Sequence, residues 1–338
     1  LIVISTGCPA GIGPEVSVAA AWKLRAIDAV LVGDLGTLRA AASLVGVRPE
    51  RLSPVDRDGV LGRWRAKRGV LRVVEAGPAL GPSDRRAGKP SRRAGAAELA
   101  YIETAHRLVK EHVRAGGRGA LVTAPVSKQA IASSGARGAR RFAGHTEWLR
   151  DLDGAREAVM CFVGGGAATS LVTTHVAVSE VPRRIDAAGV SRATLALAEL
   201  LRRTGLRKPR VAVASLNPHA GEGELFGNEE ARAIAPGIRR ARSALGRRAE
   251  VTGPVGAETA FRKMRAGAYD GVVAMYHDQA TIPMKLLAFG EAVNVTMGLS
   301  IPRTSVDHGT AYDIAWRGTA DPSGMVAALA LGARLAEG

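Results

Sequence analysis

Short apolar runs recur along this chain, separated by stretches of helical period. They lie at Leu1–Ser5, Ala29–Val32, Val70–Val74, Ala120–Thr123, Ala158–Val163, Thr169–Thr173, Val211–Ser215 and Gly271–Met275. Runs this short, apolar throughout and spaced by helices predict buried, mostly parallel strands. The clearest helix is Glu98–Val113, where Leu99, Ile102, Ala105, Val109 and Val113 share one face. The runs at 158–163 and 169–173 flank Gly164-Gly165-Gly166, which predicts a hairpin and therefore a mixed sheet. Ala76–Gly95 is rich in Gly, Pro, Ser and Arg and reads as a long surface loop. The pattern is that of an α/β protein.

The 338 residues suffice for one large α/β unit or two lobes. No internal repeat or low-complexity linker marks a boundary. No apolar run approaches the roughly 20 residues of a membrane span. The opening Leu1-Ile2-Val3-Ile4 lacks a preceding basic stretch and reads as a core strand, not a signal peptide. The two cysteines, Cys8 and Cys161, form no CxxC pair, which fits a reducing, cytoplasmic setting. The net charge of +16 raises nucleic-acid binding as an alternative. Against it, the basic residues are scattered, no binding motif is present, and 4% aromatic content leaves few stacking platforms. A solvated basic surface that gathers an anionic substrate accounts for the charge more simply.

In open α/β sheets, ligands bind at the carboxyl ends of strands. Three of the seven histidines follow predicted strands directly: His175 after Leu171-Val172-Thr173-Thr174, His219 within Asn217-Pro218-His219, and His277 after Met275-Tyr276. Imidazole suits zinc, cobalt, manganese or iron, and three protein ligands with open positions is the layout of a catalytic metal. The spacing alone leaves structural histidines and metal ligands both open. Gly11-Ile12-Gly13 follows the first strand, but Val16 stands where a dinucleotide fingerprint needs its third glycine, and no GK[ST] follows. With Pro14 suited to a first helical turn, this segment reads as a tight turn starting a helix. Lys285, Asn294 and Arg303 are anion-binding candidates, and their apolar neighbours predict buried, paired roles.

Seven segments carry a family resemblance: PAGIGPE (9–15), GHTE (144–147), LVTTHV (171–176), LNPHAGEG (216–223), AMYHDQ (274–279), FGEAVNVT (289–296) and RTSVDHGTA (303–311). In this order, and spanning nearly the whole chain, they resemble the 4-hydroxythreonine-4-phosphate dehydrogenase family of pyridoxal phosphate biosynthesis. The resemblance implies an α/β/α fold like that of isocitrate and isopropylmalate dehydrogenases, with two lobes around a cleft. It implies one lobe of residues 1–125 and 296–338 on the cofactor side, and a central lobe of 126–295 with metal and dimer contacts. It implies a homodimer with the active site shared across the interface, and neither membrane nor nucleic acid as partner. The metal ligands implied are His175, His219 and His277, holding one divalent ion (Zn, Co, Mg or Mn) per site. The implied substrate contacts are His145, Thr146, Lys285, Asn294 and Arg303, with Lys285 also assisting proton transfer. Asp307, His308, Gly309, Thr310 and Ala311 match a loop that binds NAD or NADP in the wider decarboxylating dehydrogenase group.

The chain departs from the family pattern at two places. Cys8 stands where the family usually has an acidic residue, and Ala257-Glu258-Thr259 replaces Ala-Asp-Thr. The second change keeps the charge; the first removes it and bears on substrate identity. The activity implied is NAD-dependent oxidation of 4-phosphooxy-threonine followed by decarboxylation. The alternative is a sister dehydrogenase acting on a four-carbon sugar-acid phosphate or a dihydrodiol carboxylate.

Overall fold

The computed structural model describes residues 1–62, 69–288 and 290–337. Phe289, the first residue of the 289–296 match, lies outside the described residues. Twelve strands occur among the described residues: β1 (Ile2–Ser5), β2 (Ala29–Val32), β3 (Leu52–Pro54), β4 (Leu71–Val74), β5 (Ala120–Thr123), β6 (Val159–Gly164), β7 (Ala167–Leu171), β8 (Arg210–Ala214), β9 (Glu250–Val255), β10 (Gly271–Ala274), β11 (Val293–Met297) and β12 (Arg303–Val306). Each predicted run falls on one of them. The four unpredicted strands lack a clean apolar pattern. β3 is three residues long and ends on Pro54, and β9 begins on an exposed Glu250. In β11, polar Asn294 and Thr296 interrupt the apolar positions. In β12, Arg303, Thr304 and Ser305 are polar yet fully buried.

The chain folds as two compact units, Leu1–Arg156 with Leu299–Glu337, and Glu157–Gly298. The divide thus falls some thirty residues beyond the expected 125/126 boundary. Residues 126–156 stay with the terminal unit because Asp153, which ends the helix His145–Asp153, is held by groups of that unit. Its carboxylate accepts from the Ser300 N–H (2.7 Å) and hydroxyl (2.5 Å) and from the Lys110 ammonium (3.0 Å), and pairs with His106 (3.2 Å). Burial pushes this carboxyl up, but the Ser300, Lys110 and His106 bonds outweigh it and hold it at about 2.

In the terminal unit the strand order is β3-β4-β2-β1-β5-β12, parallel throughout. The predicted helix face is realised in Arg92–Arg114, where Leu99, Ile102, Ala105 and Val109 are buried against Val3 and Leu121. That helix starts six residues earlier than expected, shortening the predicted loop. The Ser91 hydroxyl accepts from the Ala94 N–H (3.0 Å) and sets the start.

In the second unit the order is β11-β6-β7-β10-β8-β9. β6 pairs antiparallel with β11 and with β7, giving the predicted hairpin. β7, β10, β8 and β9 run parallel. Side chains alternate between two cores, as a sheet covered on both faces requires. Val211, Val213 and Val273 pack with Leu197 and Ile234 on one face. Ala212, Ala214 and Val272 pack with Phe261, Met264 and Met284 on the other. The fold is a mixed, mostly parallel α/β fold. No helix among the described residues is long and apolar enough to cross a membrane.

Candidate active site

β7, β10 and β8 are adjacent and parallel, so their carboxyl ends emerge side by side, about 4.8 Å apart from strand to strand. These exits carry His175, His277 and His219, with His277 on the middle strand. The His175 and His277 rings lie 5.6 Å apart, centroid to centroid. Hydrogen bonds staple the exits together. The Thr173 N–H (3.1 Å) and hydroxyl (2.7 Å) both reach the Met275 carbonyl, joining the β7 exit to the β10 exit. Gln279 joins β10 to β8: its Oε1 accepts from the Met275 N–H (2.7 Å) and its Nε2 donates to the Ser215 carbonyl (2.9 Å).

His277 opens the helix His277–Leu287. Its Nδ1 lies 2.7 Å from Asp278 Oδ1. A carboxylate only accepts, so Nδ1 carries the proton and Nε2 is left as the electron-pair donor, the tautomer a metal ligand needs. His219 is placed differently. It is exposed, its ring packs on Phe226 at 6.5 Å, and its backbone is left-handed (φ 51°), as are those of Ala220, Glu222 and Glu224. Such residues cost on the order of 1–3 kcal/mol each and persist only where surrounding contacts hold them.

Among the described residues, no three His, Cys, Asp or Glu side chains already stand together as a cage for one ion. The structure brings His175 and His277 together and leaves His219 on its own loop at the neighbouring exit. The donor set nevertheless fits a divalent first-row ion: imidazoles on adjacent strand exits, one with its tautomer fixed by a carboxylate.

Lys285 corrects the sequence expectation. It lies in the last turn of the same helix and is exposed, between Ile282 (59% exposed) and Leu286 (82%) on a face that no described residue covers. Its apolar sequence neighbours are themselves at the surface, which is why they misled. Asn294 is half-buried on β11, and its Oδ1 is buried without a partner among the described residues.

The terminal unit carries the other candidates. Arg303 opens β12 and is 2% exposed. Its Nε (3.2 Å) and Nη2 (2.6 Å) donate to the Thr123 hydroxyl on neighbouring β5. Burial lowers its guanidinium to about 10, against the raising effect of Glu147. His145 opens the helix His145–Asp153, edge-on to Phe142 at 6.1 Å. Burial, then the Arg303 and Lys128 charges, hold its imidazole well below the usual range, so it is neutral at pH 7. Its Nε2 is buried with no partner among the described residues. Cationic charge acting on a buried polar nitrogen that lacks a partner among the described residues suits an anionic oxygen. Thr146 follows on the same first turn, half-buried.

The segment 307–311 follows β12, and the Gly-rich turn follows β1 in the same unit. The Ile12 N–H donates to the Thr310 carbonyl (3.0 Å), and a Cβ on Gly11 would stand 2.8 Å from that oxygen. The glycine at position 11 thus serves close approach to the 307–311 loop, not phosphate. The Glu15 carboxylate accepts from the Trp316 (2.7 Å) and Gly318 (2.9 Å) N–H groups, fixing the far side of the loop. His308 and Gly309 form its exposed tip, with open space around Gly309, while Asp307 and Ala311 are half-buried at its base. A tip so exposed on so anchored a base suits contact with a cofactor.

Sequence reasoning missed Glu98. It sits on the buried face of the helix Arg92–Arg114 and accepts from the Ser127 N–H (2.6 Å). Burial pushes its carboxyl up to about 8, despite bonds from Ser127 and the Cys8 thiol. Cys8 in turn lies 3.6 Å from the Tyr312 hydroxyl, next to the 307–311 loop. Its place within a helical period, just before Leu99, hid it among surface positions.

The chain is similar over nearly its full length to known proteins. A 4-hydroxythreonine-4-phosphate dehydrogenase of Geobacter metallireducens is 40% identical, covering 99% of this chain and 95% of its own. A D-threonate 4-phosphate dehydrogenase of Salmonella typhimurium is 38% identical, covering 99% and 98%. A crystal structure of 4-hydroxythreonine-4-phosphate dehydrogenase from Klebsiella pneumoniae superposes with a TM-score of 0.82 at 34% identity, covering 99% of each chain. Residues 25–332 match the family described as pyridoxal phosphate biosynthetic protein PdxA, and the chain belongs to that family.

Proposed function

We propose that the chain oxidises 4-phosphooxy-threonine to 2-amino-3-oxo-4-phosphooxybutanoate with NAD, followed by decarboxylation to 3-amino-2-oxopropyl phosphate, in pyridoxal phosphate biosynthesis. The observation that carries this reading is Arg303, a buried guanidinium whose charge acts on His145, an imidazole with its Nε2 buried and without a partner among the described residues. A buried cation of this kind is matched by a doubly charged phosphate or a carboxylate. The likeness to relatives named for this activity narrows the substrate to a phosphorylated four-carbon acid.

His175, His219 and His277 would hold one divalent ion (Zn, Co, Mg or Mn), which supplies Lewis acidity to the C3 hydroxyl and then to the C3 ketone. Residues 307–311 would bind NAD or NADP, which would supply the acceptor for the hydride lost from C3. Lys285 would assist loss of the hydroxyl proton, taking it as the free amine and passing it to solvent from its exposed position. His145, Thr146 and Arg303 hold the anionic ends of the substrate, with Lys285 and Asn294. Fixed ends keep C3 and its hydroxyl in register for transfer. The resulting 3-oxo acid carries its carboxylate β to the ketone, so the C1–C2 bond breaks with release of carbon dioxide, its electron pair passing into the C2–C3 enolate, which takes a proton at C2 from solvent. The exposed Ile282 and Leu286 beside Lys285 support a homodimer that covers this face and completes the site. The working compartment is the cytoplasm.

The Salmonella relative supports a second reading, in which threonate 4-phosphate is the substrate. The two differ at C2, which bears an amine in one acid and a hydroxyl in the other. The test is initial rates of NADH formation on both phosphorylated acids and on unphosphorylated 4-hydroxythreonine, with and without a chelator. We expect the amino acid phosphate to be the best substrate and the chelator to abolish turnover. Higher kcat/KM on threonate 4-phosphate replaces the first reading by the second. Equal rates on phosphorylated and unphosphorylated acids, or turnover untouched by the chelator, defeats both.

A further inference from the structure

Asn217–Gly227 is the most strained segment of the second unit, and one buried carboxylate lies at its base. Glu230 is 6% exposed. Its Oε1 accepts from the Leu216 (2.9 Å) and Asn217 (2.8 Å) N–H groups, and its Oε2 from Asn217 Nδ2 (2.9 Å). The loop closes tightly on it, since a Cβ on Gly221 would stand 3.0 Å from Glu230 Oε2. The neighbouring Glu229 takes the second Asn217 Nδ2 proton at 2.7 Å. Glu230 opens a π-helical turn, Glu230–Ile234, that leads into the helix Ala235–Leu245. Such turns cost stability and recur at functional sites.

The carboxylate therefore fixes the two residues before Pro218-His219, and lies close enough to Gly221, just after Ala220, that a side chain there would crowd it. Between these fixed points His219 and Ala220 hold left-handed backbone that neither side chain favours. The bonds continue outward. The Ser215 hydroxyl donates to the Asn217 carbonyl (2.8 Å), and the Ser215 carbonyl accepts from Gln279, which reaches the His277 exit. Nothing in this chain of bonds is a metal ligand, yet it runs from one proposed ligand to another.

We infer that Glu230 is a positioning residue for His219: through Leu216, Asn217 and Gly221 it holds the third imidazole's loop in the backbone conformation from which it completes the His175–His277 pair. The inference rests on the three-histidine reading above.

Cobalt(II) is titrated into the metal-free full-length protein, followed by calorimetry and by the visible absorption of the bound ion. Glu230→Ala is expected to weaken cobalt binding about 10- to 100-fold, the range for residues that orient a ligand, and to change the absorption band. His219→Ala is expected to weaken binding more. The double variant is expected to bind no more weakly than His219→Ala alone, because Glu230 acts only through that imidazole. Glu230→Gln keeps an oxygen for the Leu216 and Asn217 N–H groups and is expected to stay within about threefold of wild type. Should Glu230→Ala fail to fold, Asn217→Ala removes the side-chain bonds to Glu230 Oε2 and Glu229 while leaving the two backbone bonds to Glu230 Oε1, and carries the same non-additivity test. Wild-type affinity in Glu230→Ala alongside a weakened His219→Ala overturns the inference and leaves the metal reading standing. Full additivity in the double variant also overturns it. Wild-type cobalt binding by His219→Ala overturns the three-histidine reading, and the inference with it.

Discussion

Arg303 and His277 hold their working groups in opposite ways. Arg303 is 2% exposed, its guanidinium stripped of water and turned onto Thr123. The His277 side chain is 38% exposed and oriented by a single carboxylate at the surface. A buried cation is costly to take out of water and is held in place by contacts within the fold, so an anion-binding group stands positioned before any anion arrives. An exposed imidazole costs little to keep and gains its geometry from the strand exit beneath it. The terminal unit therefore stores its specificity in burial, and the second unit stores it in backbone placement.

Replacing Arg303 gives the largest contrast. Arg303→Met is expected to lower kcat/KM about 10³-fold, as loss of one partner from a buried charge pair does, while the melting temperature of the ligand-free protein holds or rises because a buried charge has gone. Paired kinetics and thermal unfolding check this. A fall in both makes Arg303 a structural group and dissolves the contrast. On the other side, Asp278→Asn releases the His277 tautomer and is expected to weaken divalent metal binding about 10- to 100-fold with no change in melting temperature, since Asp278 is exposed. Calorimetric zinc titration checks it, and unaltered affinity would remove Asp278 from the site.

The smallest effect concerns pH. The Glu98 carboxyl is raised from its usual 4.5 to about 8 by burial, so the folded state holds a proton that the unfolded chain has lost. Its contribution is fully present below pH 4.5 and is lost as pH rises toward 8. Glu98→Gln should therefore leave the melting temperature nearly unchanged at pH 5 and raise it at pH 9. Parallel melting curves for the two proteins across that range would show Glu98 to be ionised throughout.

The two halves were also unequally legible in the sequence. His175, His219 and His277 stand at the ends of apolar runs, so period and position place each at a strand end, while the adjacency of those strands is seen only in the sheet order. Arg303 was legible as a candidate anion contact but not as a strand residue, because Arg303-Thr304-Ser305 has no apolar pattern. Its side chain bonds to Thr123 on β5, and the next residue's hydroxyl, that of Thr304, donates to the Ala328 carbonyl, partners that no local window contains. Lys285 failed the other way: Ile282 and Leu286 look like core and lie at the surface. Glu98 was invisible because its partners, Ser127 and Cys8, are 29 and 90 residues away in the chain. Periodicity finds what a strand or helix does alone. It does not see polar groups whose burial depends on a distant segment.

The order β7-β10-β8 has a consequence for how the protein comes into being. β10 lies between two strands that precede it in the chain, so the outer positions are synthesised first and the middle one last. During translation His175 and His219 emerge on strands that cannot yet pair with each other's true neighbour, and Gln279, the bridge between exits, emerges later still. Loop-closure entropy must be met before these contacts form. The three histidines can thus stand on adjacent strand exits only after the chain has passed residue 279.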